Sequence, residues 1–130
     1  MDRELENYSQ LTQDARSFSE RSDVDPQLRA EINEIIRQTL LKRCEVLEHQ
    51  GKKVEAAEAY LDFAKAFAES DPVRVEIALF NASIAFTGLS QWSAAADAEG
   101  RYLRQFTKGK RRSIVLLQLA KNRERVARLK

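Results

Sequence analysis

Lys53-Val54-Glu55-Ala56-Ala57-Glu58-Ala59 is answered thirty-nine residues later by Trp92-Ser93-Ala94-Ala95-Ala96-Asp97-Ala98, and this pairing decides how the chain is read. At that offset Ala56, Ala57 and Ala59 fall on Ala95, Ala96 and Ala98, Glu58 on Asp97, Phe63 on Tyr102 and Phe67 on Phe106. The same shift sets Leu40, Leu41, Cys44 and Leu47 against Leu79, Phe80, Ser83 and Phe86. One offset serving two successive segments marks a repeated helix-turn-helix unit. Small side chains at Cys44, Ser83, Ala56 and Ala95 let neighbouring backbones approach. The bulky Leu47, Tyr60, Phe86 and Tyr102 then fill the space between pairs.

Working outward, stop signals divide the chain into six helices. The first is expected over 3–21, with Asp2 as N-cap and an apolar stripe of Leu5, Tyr8, Leu11, Ala15 and Phe18. Asp25-Pro26 opens the second, a cap followed by proline at the first helical position. This helix carries Leu28, Ile32, Ile35, Ile36, Leu40, Cys44 and Leu47, and Gly51 ends it. The third runs from about Lys53 to Glu69. Asp71-Pro72 repeats the device for the fourth, which stops before Gly88. Ser90 is expected to cap the fifth and Gly109 to close it. The sixth starts near Arg112 with a stripe of Ile114, Leu117, Ala120 and Val126. The chain thus reads as one domain, 1–130, with repeats at 26–69 and 72–106 and end helices at 3–21 and 112–129.

Leu40, Cys44, Leu47, Gly51, Ala56 and Tyr60, followed by Pro72, resemble the signature of a tetratricopeptide (TPR) repeat. The unit from Leu79 to Phe106 keeps Gly88, Trp92 and Ala95, with two extra turn residues and Gly100 inside its second helix. The period exceeds the ~34 residues usual in the family. In this the chain is similar to the lengthened repeats of bacterial cell-envelope TPR proteins. The resemblance implies an all-α fold of antiparallel helical hairpins stacked as a right-handed solenoid, and tilts the setting toward the bacterial periplasm or envelope, with the cytoplasm as the alternative. Ala15 to Glu20 resembles Ala64 to Glu69, so the end helices are either halves of further repeats or caps on the stack.

Composition agrees with helices: of 130 residues only four are glycine and two proline. Charge is polarised. Residues 101–130 hold eleven basic side chains against the single acid Glu124, a net +10, leaving −8 on residues 1–100 within the formal +2. Such polarity steers acidic partners or lets copies associate head to tail. The lone Cys44 excludes an intramolecular disulfide. No apolar run approaches the ~20 residues of a transmembrane helix, and no secretory signal opens the sequence.

Catalytic residues are not expected. His49 is the only histidine, Cys44 sits at a packing position, and the glycines form no phosphate loop. Neither a metal nor a cofactor is implied. Two interaction surfaces are. If the TPR resemblance holds, the first helix of each pair lines a groove for a peptide or partner helix. Its residues would be Gln38, Leu41, Lys42, Glu45 and Glu48 in one unit, and Ile77, Phe80, Asn81, Ile84 and Thr87 in the other. The alternative is a basic module in residues 101–130, centred on Lys108, Lys110, Arg111, Arg112 and Arg123, that contacts phosphate, nucleic acid or anionic lipid. Aromatic side chains that would stack bases are missing after Phe106. The expectation is a non-enzymatic protein-binding scaffold, with self-association a third possibility.

Overall fold

The computed structural model describes residues 3–21 and 23–129, with side chains described from Glu6 onward. Among these residues lie six α-helices and no strand: α1 Arg3–Ser19, α2 Pro26–His49, α3 Lys53–Ala66, α4 Pro72–Gly88, α5 Trp92–Gln105 and α6 Arg112–Arg128. Two of the caps read from sequence are in place. Asp25 accepts from the Gln27 N–H at 2.8 Å, and Asp71 from the Arg74 N–H at 3.4 Å. The Asp2 cap and the Leu5 side chain lie outside the described residues. Gly51 stands at φ +76° just past α2, the left-handed turn that ends a helix without a Cβ penalty.

The chain divides into two compact units, Met1–Gln50 and Gly51–Lys130. The division falls within the 26–69 stretch. In the first unit, α1 packs on α2. The inward line of α1 is Tyr8, Thr12, Ala15 and Ser19, with Thr12 and Ser19 buried, whereas Leu11 is 51% and Phe18 41% exposed. The apolar stripe expected there is therefore displaced. The hydroxyls go inward because each finds an acceptor, Thr12 at the Tyr8 carbonyl (2.8 Å) and Ser19 at Asn33 Oδ1 (3.0 Å). On α2, Ile36, Cys44, Val46 and Leu47 are buried, while Leu28 and Ile35 are exposed.

The second unit packs α3 on α4, α4 on α5 and α5 on α6. Here the thirty-nine-residue period reaches the helix limits: α3 and α5 are each 14 residues long and begin at Lys53 and Trp92. Phe63 and Phe67 stack with centroids 4.8 Å apart at 47°; their counterparts Tyr102 and Phe106 lie at 5.3 Å and 48°. Ala56 and Ala95 are both fully buried, as the close approach of backbones demands. Phe63, Leu79, Phe86 and Tyr102 fill the space between helices, each contributing about 1.5–3 kcal/mol by burial.

The expected α6 stripe and the expected Ser90 cap both change. The inward line of α6 is Val115, Leu119 and Asn122; Ile114 and Leu117 are 52% and 57% exposed, and Ala120 is exposed too. The line follows Asn122 because its amide has partners on two helices, the half-buried Thr87 on α4 and the buried Glu99 on α5. Ser90 does not cap α5, whose N-cap is Gln91 without a side-chain bond. Instead Ser90 sits at φ 59° and completes a Schellman turn, its N–H on the Thr87 carbonyl (3.0 Å) and that of Gln91 on the Phe86 carbonyl (2.9 Å).

Candidate interaction surface

Two polar knots set the helices of the second unit. The first is buried. Glu99 of α5, fully buried, accepts from Ser83 Oγ of α4 at 2.6 Å and from Asn122 Nδ2 of α6 at 3.0 Å on each oxygen. Asn122 also donates to Thr87 Oγ1 (3.1 Å) and accepts from Arg125 Nη1 (2.8 Å), while the Arg125 guanidinium lies 4.6 Å over the Trp92 ring. Burial pushes the Glu99 carboxyl above its ordinary value, against the pull of Ser83, Asn122 and Arg125. The repeat carried a signal for this group that the sequence reading passed over. At the thirty-nine-residue offset Glu99 replaces the buried Tyr60, and Cys44, Ser83 and Asn122 form one series of increasingly polar residues.

The second knot ties the α5–α6 turn to α4. Glu76 Oε2 accepts from Tyr102 Oη (2.8 Å) and from the Lys110 N–H (2.9 Å), and Oε1 pairs with Arg111 Nη1 (3.1 Å). Tyr102 Oη in turn accepts from the Arg111 N–H (3.0 Å). Burial, and then the Glu76 carboxylate, raise the phenol above its ordinary value, which keeps it a donor. Gly109 is required here: a Cβ would meet Tyr102 Oη at 2.5 Å. Its role is close approach and not, as expected, closure of α5, which ends at Gln105.

Together the knots hold α4 and α6 side by side in parallel. Glu76 meets Arg111 and Thr87 meets Asn122, the same separation of 35 residues at both ends. Beneath them, Gln105 Nε2 of α5 donates to the Ala68 carbonyl just past α3 (2.7 Å).

This packing sorts the candidate groove on α4. Ile77 and Ile84 stand 42% and 53% exposed, with Asn81 half-buried between them. Phe80 is half-buried under the Arg111 guanidinium, 5.3 Å from its ring centroid, and Thr87 is turned to Asn122. The structure therefore leaves Ile77, Asn81 and Ile84 available as a row. In the first unit Gln38, Lys42, Glu45 and Glu48 are exposed and Leu41 half-buried. Lys42 pairs with Glu45 at 3.7 Å, and both line a depression of about 450 Å³ with Val46, His49 and Gln50.

The basic patch separates into two kinds of residue. Arg111 is bound to Glu76 and Phe80. Arg112 donates to the Leu103 and Phe106 carbonyls (3.0 and 3.4 Å), covering the C-terminal end of α5. Lys108 and Lys110 are exposed on the turn, beside a cleft of about 440 Å³ lined also by Pro72, Val73 and Phe106. Arg123 lies elsewhere, in a notch with Arg101 and Arg104.

Among the described residues no group of histidine, cysteine and carboxylate side chains is disposed to hold a metal ion, and no helix is long and apolar enough to cross a membrane. Cys44 is buried and burial pushes its thiol up to about 12; His49 is exposed at the end of α2. No protein-family model, curated protein or solved structure matches the chain.

Proposed function

We propose that the chain is a non-enzymatic protein-interaction scaffold built from TPR-like stacked hairpins, and that α4 offers a peptide or partner helix the row Ile77, Asn81 and Ile84. One observation carries this reading. The second unit repeats a helix with the same length and an aromatic pair at equivalent positions, and holds α4 and α6 parallel in constant register. Repeats of this kind gain stability from neighbour to neighbour and present extended helix faces to partners. The row supplies two apolar anchors about two helical turns apart with an amide between, the spacing a partner helix reads. The exposed strip of α2, with Gln38, Lys42, Glu45 and Glu48, is a second and polar surface in the other unit. Membership of a larger assembly, with an envelope setting as the resemblance implies, extends the proposal.

Salt dependence separates this reading from the basic module. A complex formed through the α4 row holds its affinity between 0.1 and about 0.5 M NaCl and is lost on Ile84→Asp. Affinity for heparin or DNA that falls steeply over that range, unaffected by Ile84→Asp, would favour the basic module instead.

A further inference from the structure

Of the seven arginines in residues 101–130, four are engaged within the fold: Arg111, Arg112, Arg125 and Arg128, the last on Glu124 at 2.6 Å. The other three, Arg101, Arg104 and Arg123, make no ion pair or side-chain hydrogen bond with any described residue. All three line one notch of about 340 Å³, joined by Lys65 of α3. The geometry points to a binding site for a phosphate-type dianion in this notch, formed by Arg101 and Arg104 of α5, Arg123 of α6 and Lys65.

The repeat explains why the notch exists. At the thirty-nine-residue offset Lys65 corresponds to Arg104, and Leu61 to Gly100. Where the first copy places a leucine side chain, the second has none, and the missing volume opens the surface of α5. A glycine inside a helix costs about 1 kcal/mol relative to alanine, so helix stability does not favour it there. What the glycine gives is access: a Cβ at Gly100 would come within 3.2 Å of Arg104 Nη1, so the guanidinium rests over the bare backbone.

Charge sets the ligand class. Four cations surround the notch against one acid, the exposed Asp97, an excess of three. A single carboxylate would leave most of that excess in place, whereas a phosphate monoester near pH 7 carries about −1.5 to −2 charges and three acceptor oxygens. Guanidinium forks suit those oxygens in paired, directional contacts. The notch holds one such group and not the run of phosphates of a duplex, and no aromatic side chain lines it for base stacking. The phosphate is either carried on a side chain of the protein partner or belongs to a free small phosphate. The first source rests on the scaffold reading; the site itself does not.

The test is a titration of the ¹⁵N-labelled chain, followed by NMR, with inorganic phosphate and, separately, with a short phosphoserine peptide and its unphosphorylated form. Saturable shifts confined to residues around Lys65, Gly100, Arg101, Arg104 and Arg123 are expected. Arg104→Gln combined with Arg123→Gln should weaken binding at least about tenfold, since each contact is a charge-assisted hydrogen bond. Lys108→Gln combined with Lys110→Gln removes the same charge and should leave it unchanged. Gly100→Leu restores the side chain of the first copy, keeps every charge and should also abolish binding, with an unchanged helical spectrum confirming the fold. Tighter binding of the phosphopeptide than of phosphate identifies a partner-borne group, and equal binding a free one; both support the site. Shifts spread over all lysines and arginines, equal loss in the Lys108 and Lys110 variant, or undiminished binding in Gly100→Leu would overturn it. Ile84→Asp leaves this binding intact, so failure of the α4 row and failure of the notch are told apart.

Discussion

Gly109→Ala should be the most damaging single-methyl change in the second unit. The added Cβ would lie 2.5 Å from Tyr102 Oη, 2.9 Å from Glu76 Oε2 and 3.0 Å from Phe106 Cβ. The first of these atoms belongs to a side chain only 1% exposed, so the ring has nowhere to go and the turn must withdraw. Withdrawal breaks the bonds of Lys110 N–H to Glu76 and of Arg111 N–H to Tyr102. Hydrogen bonds to a charged group contribute about 1.5–3 kcal/mol and a buried unsatisfied partner costs about 1–3 kcal/mol. These terms overlap because the groups share one network, so about 3 kcal/mol is the working figure. For a unit of this size that lowers the melting temperature by more than about 10 °C. Calorimetry and urea denaturation measure it, with Gly88→Ala as the control. No atom lies within 4 Å of a Cβ at Gly88, and alanine there should be neutral or stabilise by up to about 1 kcal/mol. Adding Tyr102→Phe to Gly109→Ala removes the atom that is struck, so the double variant should lose less than the sum of the singles. A Gly109→Ala variant within about 0.5 kcal/mol of the parent, or strictly additive effects, would refute the argument.

Three further outcomes are expected. Glu99 has its carboxyl raised above the ordinary 4.5 by burial, so the folded chain binds this proton more tightly than the unfolded chain. Its contribution to stability therefore falls as pH rises from about 4.5 through the raised value. Glu99→Gln lacks that slope. The difference in unfolding free energy should move in favour of the variant between pH 4 and pH 8, and a difference that is constant or moves the other way contradicts the burial argument. Cys44, buried with its thiol near 12, should react with a disulfide reagent at pH 8 only as fast as the protein opens. Stoichiometric labelling within seconds in native buffer would be inconsistent with this. Ser90→Gly, at φ 59°, should stabilise by about 0.5–1 kcal/mol in urea melts, because glycine accepts the left-handed turn without a Cβ penalty. Destabilisation would show that the hydroxyl has a role the backbone geometry does not account for.

Much of the fold was legible because repetition constrains it. Ala56 and Ala95, Ala59 and Ala98, and the pairs Phe63–Phe67 and Tyr102–Phe106 had to occupy equivalent places, and Asp25-Pro26 and Asp71-Pro72 fixed two helix starts. Legibility failed where polar groups turn inward. In α6 the run from Ile114 to Leu117 is apolar on every side, so periodicity alone gives no direction. What orients the helix is Asn122, a residue that hydropathy assigns to the surface. Glu99 was hidden in the same way, since a buried carboxylate is recognisable only with its partners from other helices in view. In the candidate surfaces, burial and pairing separate residues that sequence places together. Arg111 and Arg112 look like part of a basic patch, yet their charges are spent on Glu76 and on helix-end carbonyls, whereas Arg123 joins Arg101 and Arg104.

The scaffold account is tested most directly by placing a photo-crosslinking amino acid, one site at a time, at Ile77 and Ile84 on α4 and at the exposed Glu58 and Asp62 on α3. The account predicts adducts of one and the same protein from both α4 sites and none from the α3 sites. Adducts of equal yield from all four positions, or none from Ile77 and Ile84 while a partner remains bound, would contradict it.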